Sequence, residues 1–469
     1  MPASDDVELV LATLDALWRL LGEPVRPLPP AHFVGEGGGL PSVYAVDALA
    51  SAAVGVASAA VAELLGARRG SPAGGFEVDR QHVAAAFRSE RYLAPIGWEL
   101  PALWDPVAGD YPAADGWIRL HTNYPHHRDA ALRVLDSPAD RGAVARAIAR
   151  RSAEEIEVAV VAEGGAAARQ RTADEWAAHP QGQAIAAEPL FSMSRAPSPA
   201  DARPVPTLAP GAAPLTGIRV LDLTRVIAGP VCTRVLAGYG ADVLRLDPPG
   251  FAEVPALLPE TTVGKRRAAL DLRAAAGRAV FEQLVAGADL LICGYRASAL
   301  DRLDLGIERL RALNPALGVV LLDAYGWSGP WRDRRGFDSL VQMSTGITAR
   351  GSAAIGSPHP VPLPAQALDH GAGYLMAAAA CRALTERLVS GVTTLARISL
   401  ARVALQLEQL PTRGDPHATE LADVAAWRER TESSFGPVER VSCPGRVDGF
   451  VPRWSVPAGP LGVDAPSWR

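Results

Sequence analysis

The stretch PLTGIRVLDLTRVIAGPVCTRVLAGYGADVLRLDPPG, Pro214 to Gly250, reads as one β-α-β unit. Gly217 to Leu223 is a short apolar run, rich in β-branched residues, of the kind buried in a parallel sheet. Pro230 stands where the first turn of a helix tolerates a missing N–H, Gly240 is placed to end that helix, and Ala241 to Leu246 supplies the next strand. The loop Thr224 to Gly229 then lies at the carboxyl end of a strand and the head of a helix, where free backbone N–H groups face an anion. It lacks the G-x-G-x-x-G fingerprint, which leaves an NAD-dependent oxidoreductase as only a distant alternative.

The rest of the chain bounds the problem. With 469 residues, 48% hydrophobic and 21% charged, it is long enough for two or three globular domains. A net charge of −5 gives no electrostatic reason to expect nucleic acid or an anionic membrane as partner. Cys232, Cys293, Cys381 and Cys443 are far apart and form no C-x-x-C pair, which favours reduced thiols over disulfides or a metal site. The opening residues are acidic rather than a basic-then-apolar leader, so a cytoplasmic location is expected. Ala45 to Leu65 is apolar but Ala-rich and carries Asp47 and Glu63, which suits a buried helix better than a membrane span.

Collinear motifs continue from the first unit: Gly264, Lys265, Arg266, Arg267 before Leu270-Asp271-Leu272; Ala288-Asp289-Leu290 through Tyr295-Arg296; Leu305-Gly306; Asn314-Pro315; YGWSGP at Tyr325 to Pro330; Gly336-Phe337-Asp338 with Gln342; and Leu368-Asp369. With the opening stretch, this series resembles the class III CoA-transferase (CaiB-BaiF) family from Pro214 to about Leu410. The resemblance implies an α/β protein with a Rossmann-like open-sheet CoA-binding domain and a smaller α+β domain. It also implies coenzyme A as substrate and product, without a metal, and an acyl-CoA donor with a small carboxylic acid acceptor.

An internal repeat is visible when the Ala-rich segments Val43 to Leu65 and Pro364 to Arg387 are overlaid without a gap, which sets Asp47 on Asp369 and Phe76-Glu77-Val78 on Ile398-Ser399-Leu400. Asp115 to Leu120 and Arg171 to Trp176 resemble marks of the family's small domain, yet here they precede the CoA-binding half. The expected organisation is therefore a rearranged, duplicated member. Residues 1–105 form a module with an Ala-rich helix, opened by an amphipathic helix within 1–22. Residues 106–193 form the small α+β domain and 194–213 a Pro-rich linker. Residues 214–410 form the CoA-binding domain with the aspartate helix, and 411–469 a helix over 418–430 followed by an extended tail. Family members are interlocked homodimers; the duplication allows either a homodimer or a single chain that supplies the crossing segment itself.

The resemblance assigns Asp369 as the carboxylate nucleophile, forming mixed anhydrides and an aspartyl-CoA thioester. At a helix head, its anion is expected to be stabilised by free N–H groups, the same physics that makes Asp a good cap. Asp47 is its rival from the first copy. Arg225, Val226, Ile227 and Ala228 are expected to contact CoA, with Arg245, Lys265 and Arg266 suited to its phosphates and Tyr295, Arg296 and Arg302 completing the set. Gly294 stands where the family has asparagine, and Ala297-Ser298 where it has Pro-Gly. Asp338 is expected to orient the site or cap a helix. Phe337 cannot abstract the α-proton as the histidine of acyl-CoA racemases does. His370 should point about 100° away from Asp369 on a helix, as an ordinary buried histidine. His121, His126 and His127 have too few partners to argue for a metal. Two alternatives stay open, an acyl-CoA racemase or isomerase and a catalytically inactive CoA-binding protein.

Overall fold

The structure is a computed structural model describing residues 3–22, 25–199, 203–209, 211–411 and 414–469. Its centre is a seven-stranded mixed sheet built from β1 (Ser192–Pro197), β2 (Arg219–Leu223), β3 (Asp242–Asp247), β4 (Lys265–Ala269), β5 (Leu290–Cys293), β6 (Gly318–Asp323) and β7 (Val392–Ser399). The strand order is β4-β3-β2-β5-β6-β7-β1, parallel except for the antiparallel edge strand β1. From β2 the chain winds outward through β3 and β4, then restarts at β5 and winds the other way. The crevice between β2 and β5 is thus the switch point where open α/β sheets bind ligands.

The two Ala-rich segments are helices α1 (Val46–Arg69) and α3 (Ala367–Ser390), each 24 residues long, each closed by a left-handed glycine, Gly70 or Gly391, and packed against one another. α1 is long and apolar enough to cross a membrane, and it lies buried inside the protein. Small side chains let α3 approach α2 (Ala228–Gly238) closely: a Cβ on Gly373 would meet Ala228 O at 2.6 Å and Val231 Cβ at 2.7 Å. That contact, one turn beyond Asp369, fixes the head of α3 against the loop after β2.

The first copy carries a smaller sheet, Ala31–Val34 parallel to Phe76–Asp79, with Arg446–Val447 added antiparallel. The ungapped overlay of the copies slips after the helices. Asp79 and Ser399 each cap the following helix through their side chains, two residues out of step with the overlay, because residues 70–75 form a turn in the first copy whereas β7 starts directly after Gly391. Between the copies, Gly109–Ala113, Gly116–Leu120 and Ala167–Arg169 form an antiparallel sheet covered by helices Pro125–Leu135, Arg141–Ile148 and Ala153–Ala162.

Two expectations are corrected here. The start of the 194–213 segment is part of the edge strand β1, paired with β7 from Arg195 to Thr394 and beyond; its residues 200–202 and 210 lie outside the described residues. The helix expected over 418–430 does not form. The Asp415 and Asp423 side chains accept the nearby N–H groups of His417 and Ala425, which competes with helical bonding, and Arg428–Thr431 pairs instead with Val438–Val441. The tail beyond crosses the domain of the seven-stranded sheet, where Trp454 Nε1 donates to Arg234 O and Trp468 Nε1 to Leu284 O.

Candidate active site

A cleft of about 830 Å³ opens over the carboxyl ends of β2 to β6. Its floor and sheet-side wall hold Arg225, Val226, Ile227, Ala228, Tyr295, Arg296, Arg302 and Asp369, so the structure brings eight of the sequence-derived candidates together. Tyr124, His126 and His127, from the domain that precedes the sheet in sequence, form the opposite wall.

The loop after β2 is shaped by buried charge. Asp222 Oδ1 accepts the N–H of Thr224 at 2.9 Å and its hydroxyl at 2.5 Å, and Asp222 Oδ2 lies 3.0 Å from Lys265 Nζ with both side chains fully buried. Two residues on, Val226 has φ +63°, a left-handed conformation that costs a β-branched residue about 1–3 kcal/mol. It is held by Glu253, whose Oε2 accepts Val226 N at 3.3 Å; Glu253 is itself fixed by Arg245 at 3.0 Å and by the Tyr124 hydroxyl at 2.6 Å. This strain turns the backbone of 226–228 toward the cleft.

Those contacts correct three assignments. Arg245 is completely buried, bonded to Asp247 and Glu253, and positions Val226 rather than facing a phosphate. Lys265 neutralises Asp222 beneath the sheet, and burial pulls its ammonium down to about 8. Arg266 forks onto Asp242 and bonds Ser467 O under the tail. Lys265 and Arg266 begin β4, so the strand direction puts them at the end of the sheet opposite the cleft. A basic cluster in sequence has become a set of internal ion pairs. By contrast, Arg225 is sandwiched between Phe251 (3.7 Å) and Tyr295 (5.0 Å) and remains in the cleft wall, and burial raises the Tyr295 phenol to about 12.

Asp369 sits in the first turn of α3, 7% exposed, at the cleft wall. Its helix is capped from outside: Asp338 Oδ2 accepts Leu368 N at 2.9 Å and Asp369 N at 3.1 Å, while Gln342 holds Asp338 Oδ1 and Leu363 N. Among the described residues the Asp369 carboxyl itself makes no hydrogen bond or ion pair. The expected stabilisation of its anion by free N–H groups is therefore overturned, because Asp338 has taken them. Burial, then the negative neighbours Asp338 and Glu90, push the Asp369 carboxyl well above its ordinary range. Burial also raises Asp338, to about 6. His370 points away, its Nε2 3.1 Å from buried Glu90 of the first copy.

Asp47 lies elsewhere and does not line the cleft. It is near Asp6, Arg80 and Arg88, and burial with Asp6 raises it to about 6. The Gly-rich loop before α1 closes on this spot, where a Cβ on Gly37 would collide with Arg80 and Asp6.

Sequence reasoning missed Tyr124, His127, Phe251, Glu253 and Arg335. No local pattern marks the first two, which stand about 100 residues before the loop they face. The charge run Arg332 to Arg335, beside the quoted Gly336-Phe337-Asp338, was the available signal for the last. His121 is stacked on Phe337 at 3.6 Å, and His127 is packed edge-on against it at 5.8 Å. Among the described residues no group of histidine, cysteine and carboxylate side chains is arranged to hold a metal.

Residues 215–423 match the model of CoA-transferase family III. A protein of Mycobacterium tuberculosis named probable fatty acyl-CoA transferase is 31% identical over 217 residues, covering 44% of this chain and 54% of that protein. Succinyl-CoA–D-citramalate CoA-transferase of Chloroflexus aurantiacus is 34% identical over 148 residues, 29% of this chain and 37% of its own. A crystal structure of a hypothetical protein from Mycobacterium tuberculosis is similar at 32% identity and a TM-score of 0.39, over 42% of this chain and 58% of that one. The chain spans roughly half the length, or less, of the curated relatives it matches. Over residues 215–423, rather less than half of its length, the chain is similar to the class III CoA-transferases.

Proposed function

We propose that the protein moves CoA from an acyl-CoA donor to a carboxylic acid acceptor, with Asp369 as the nucleophile. The observation that carries this reading is a buried carboxyl group with no internal partner, facing a cleft over the switch point of the sheet. A structural carboxylate would be paired; this one is held ready by Asp338, which bonds the backbone and leaves the side chain unengaged. Its raised proton affinity makes the ionised form a stronger nucleophile than an exposed carboxylate.

In this scheme the Asp369 carboxylate attacks the thioester carbonyl and expels the CoA thiolate, giving an acyl-aspartyl anhydride. The thiolate then attacks the aspartyl carbonyl, releasing the donor acid and leaving an aspartyl-CoA thioester. The acceptor carboxylate attacks that thioester, and the returning thiolate takes the acceptor acyl group, restoring Asp369. Val226 to Ala228 present backbone along the pantetheine path, and Arg225, Arg296 and Arg302 supply positive charge toward the nucleotide end. Tyr124, His126 and His127 come from the same chain as the sheet, which supports the reading that one chain supplies both walls of the site. The racemase alternative is disfavoured: His127, one of the small-domain imidazoles that line the cleft, is pushed down to about 3 by burial, His126, Arg335 and Arg296, too low for a proton-abstracting base.

The test is mass spectrometry of the protein incubated with a panel of acyl-CoAs. A CoA adduct on the peptide carrying Asp369, lost in Asp369→Ala and kept in Asp47→Ala, is expected. CoA binding with no adduct under any donor would leave the inactive binding protein as the better reading.

A further inference from the structure

Six arginines line or rim the cleft, and their partners separate them into classes. Arg334 is committed to Glu157 at 2.8 Å, and Arg225 lies within 3.8 Å of Asp247. Arg273 is exposed in a turn, and Arg302 is exposed in a short 3-10 helix, where it donates to Ser298 Oγ at 2.7 Å. Arg296 gives one bond to Asp333 O at 3.3 Å and faces Asp323. Arg335 differs: half-buried, it makes no hydrogen bond or ion pair among the described residues, and the charges acting on it are Arg296 and Arg302, both of its own sign.

Arg335 also lies at the seam with the small domain. A Cβ on Gly164 would come within 3.7 Å of its Nη1, and its charge is felt by both His126 and His127. His127 lines the cleft, is 3% exposed and has an Nδ1 with no partner. Of the carboxylates at the cleft, Asp247 is paired with arginines, Asp323 accepts Tyr325 N and Gly326 N, Asp271 accepts Arg273 N, and Asp369 makes no ion pair, so none neutralises Arg335 among the described residues. Uncompensated like charges, half out of water, are costly unless an anion joins them. Three residues after Arg335, Asp338 grips the backbone of Asp369, which puts the arginine Cα at most about 11 Å of chain from that clamp.

From this geometry we infer that Arg335, with Arg296 and His127, forms a subsite for a second carboxylate, so that the transferred acid is a short dicarboxylate bound with one end at Asp369. The inference rests on the reading of Asp369 as acyl carrier. A CoA phosphate could use the same chemistry, but it has the exposed Arg273 and Arg302, whereas Arg335 faces the small-domain wall.

The experiment is calorimetric titration of the full chain with succinate, with butyrate as its monocarboxylate counterpart, and with CoA, repeated for Arg335→Gln and Arg335→Lys. We expect wild type to prefer succinate by about tenfold or more, Arg335→Gln to lose that preference, Arg335→Lys to keep part of it, and CoA affinity to change less than about twofold. Equal binding of the two acids by wild type, or an undiminished preference in Arg335→Gln, overturns the proposal. Weakened CoA binding with the succinate preference intact overturns it too, since Arg335 then serves a phosphate. Because binding is read without turnover, an absent Asp369 adduct beside an intact succinate preference would sink the transferase reading while upholding the anion subsite.

Discussion

The two Ala-rich helices, α1 and α3, have the same length, the same left-handed glycine stop and an aspartate in the first turn, yet their heads are treated in opposite ways. At α3, Asp338 satisfies the backbone, so Asp369 keeps its carboxyl free at a cleft floored by five strand ends. At α1, the Gly35 to Gly39 loop closes over the head, and Asp47 lies in a cluster of Asp6, Arg80 and Arg88, outside the cleft that Asp369 lines. What differs is the sheet beneath. The first copy makes a single β-α-β crossover, Ala31–Val34 through α1 to the parallel Phe76–Asp79, and its third strand, Arg446–Val447, is antiparallel, so the winding never reverses to create a switch point. A carboxylate at a helix head is thus common to both copies, and a ligand crevice to only one.

The most severe way to break this contrast is to remove each acid. Asp369→Ala is expected to lower CoA transfer by about a thousandfold or more, as loss of a covalent nucleophile does, while Asp47→Ala stays within about threefold of wild type. Steady-state rates with a matched donor and acceptor, alongside adduct mass, check both; equal losses would mean the two heads work as one site. Next comes the clamp. Asp338→Ala leaves the N–H groups of Leu368 and Asp369 unsatisfied, at a cost of about 1–3 kcal/mol of stability and a further loss of rate. Asp338→Asn keeps an oxygen for those bonds but removes a negative neighbour of Asp369, so the acid limb of the pH-rate profile should move to lower pH. An unmoved limb would show that Asp338 acts through geometry alone.

The contrast also shows what could be read from residues alone. The β-α-β unit, the seat of the Arg225 loop and the aspartate at the head of α3 were legible because each depends on local spacing: a buried run, a helix head, a glycine stop. Lys265, Arg266 and Arg245 were misjudged because a sequence gives charge without partners. Asp222, Asp242 and Glu253, which absorb those charges, come from other strands and loops. Tyr124 was invisible, and His127 was weighed only as a metal ligand, for a topological reason, since the wall they form reaches the cleft only after the chain has crossed to the sheet. The slip of two residues between the copies was hidden likewise, because an ungapped overlay cannot see that one copy turns where the other enters a strand.

A subtler test concerns buried acids with fixed partners. Asp323, at the end of β6, accepts Tyr325 N at 2.8 Å and Gly326 N at 3.1 Å, yet burial raises its carboxyl to about 8. Because its folded affinity for a proton exceeds that of the unfolded chain, its stabilising contribution is complete below about pH 4 and is lost as pH rises through 8. Asp323→Asn can keep the accepting oxygen and removes the titration. Denaturant melts at pH 5.5 and pH 9 should show the variant gaining roughly 1–3 kcal/mol over wild type between the two. No pH-dependent gain would mean water or a bound cation reaches Asp323 in solution.

The smallest effect is expected at Asp47, and it sharpens the comparison most. Its carboxyl is raised only to about 6, because Arg80 and Arg88 offset part of the burial and the Asp6 charge. By the same sign, stability tied to it falls as pH rises from about 4 through 6 and is flat above. Asp47→Asn should therefore stabilise the protein slightly at pH 8, by less than Asp323→Asn does, with CoA adduct formation on Asp369 unchanged within about twofold. The two readouts answer different questions. A melting shift without a rate change fits a helix head sealed by its glycine loop. A rate change without a melting shift would mean that the packed face between α1 and α3 transmits the charge at one head to the other, and the copies would no longer be independent.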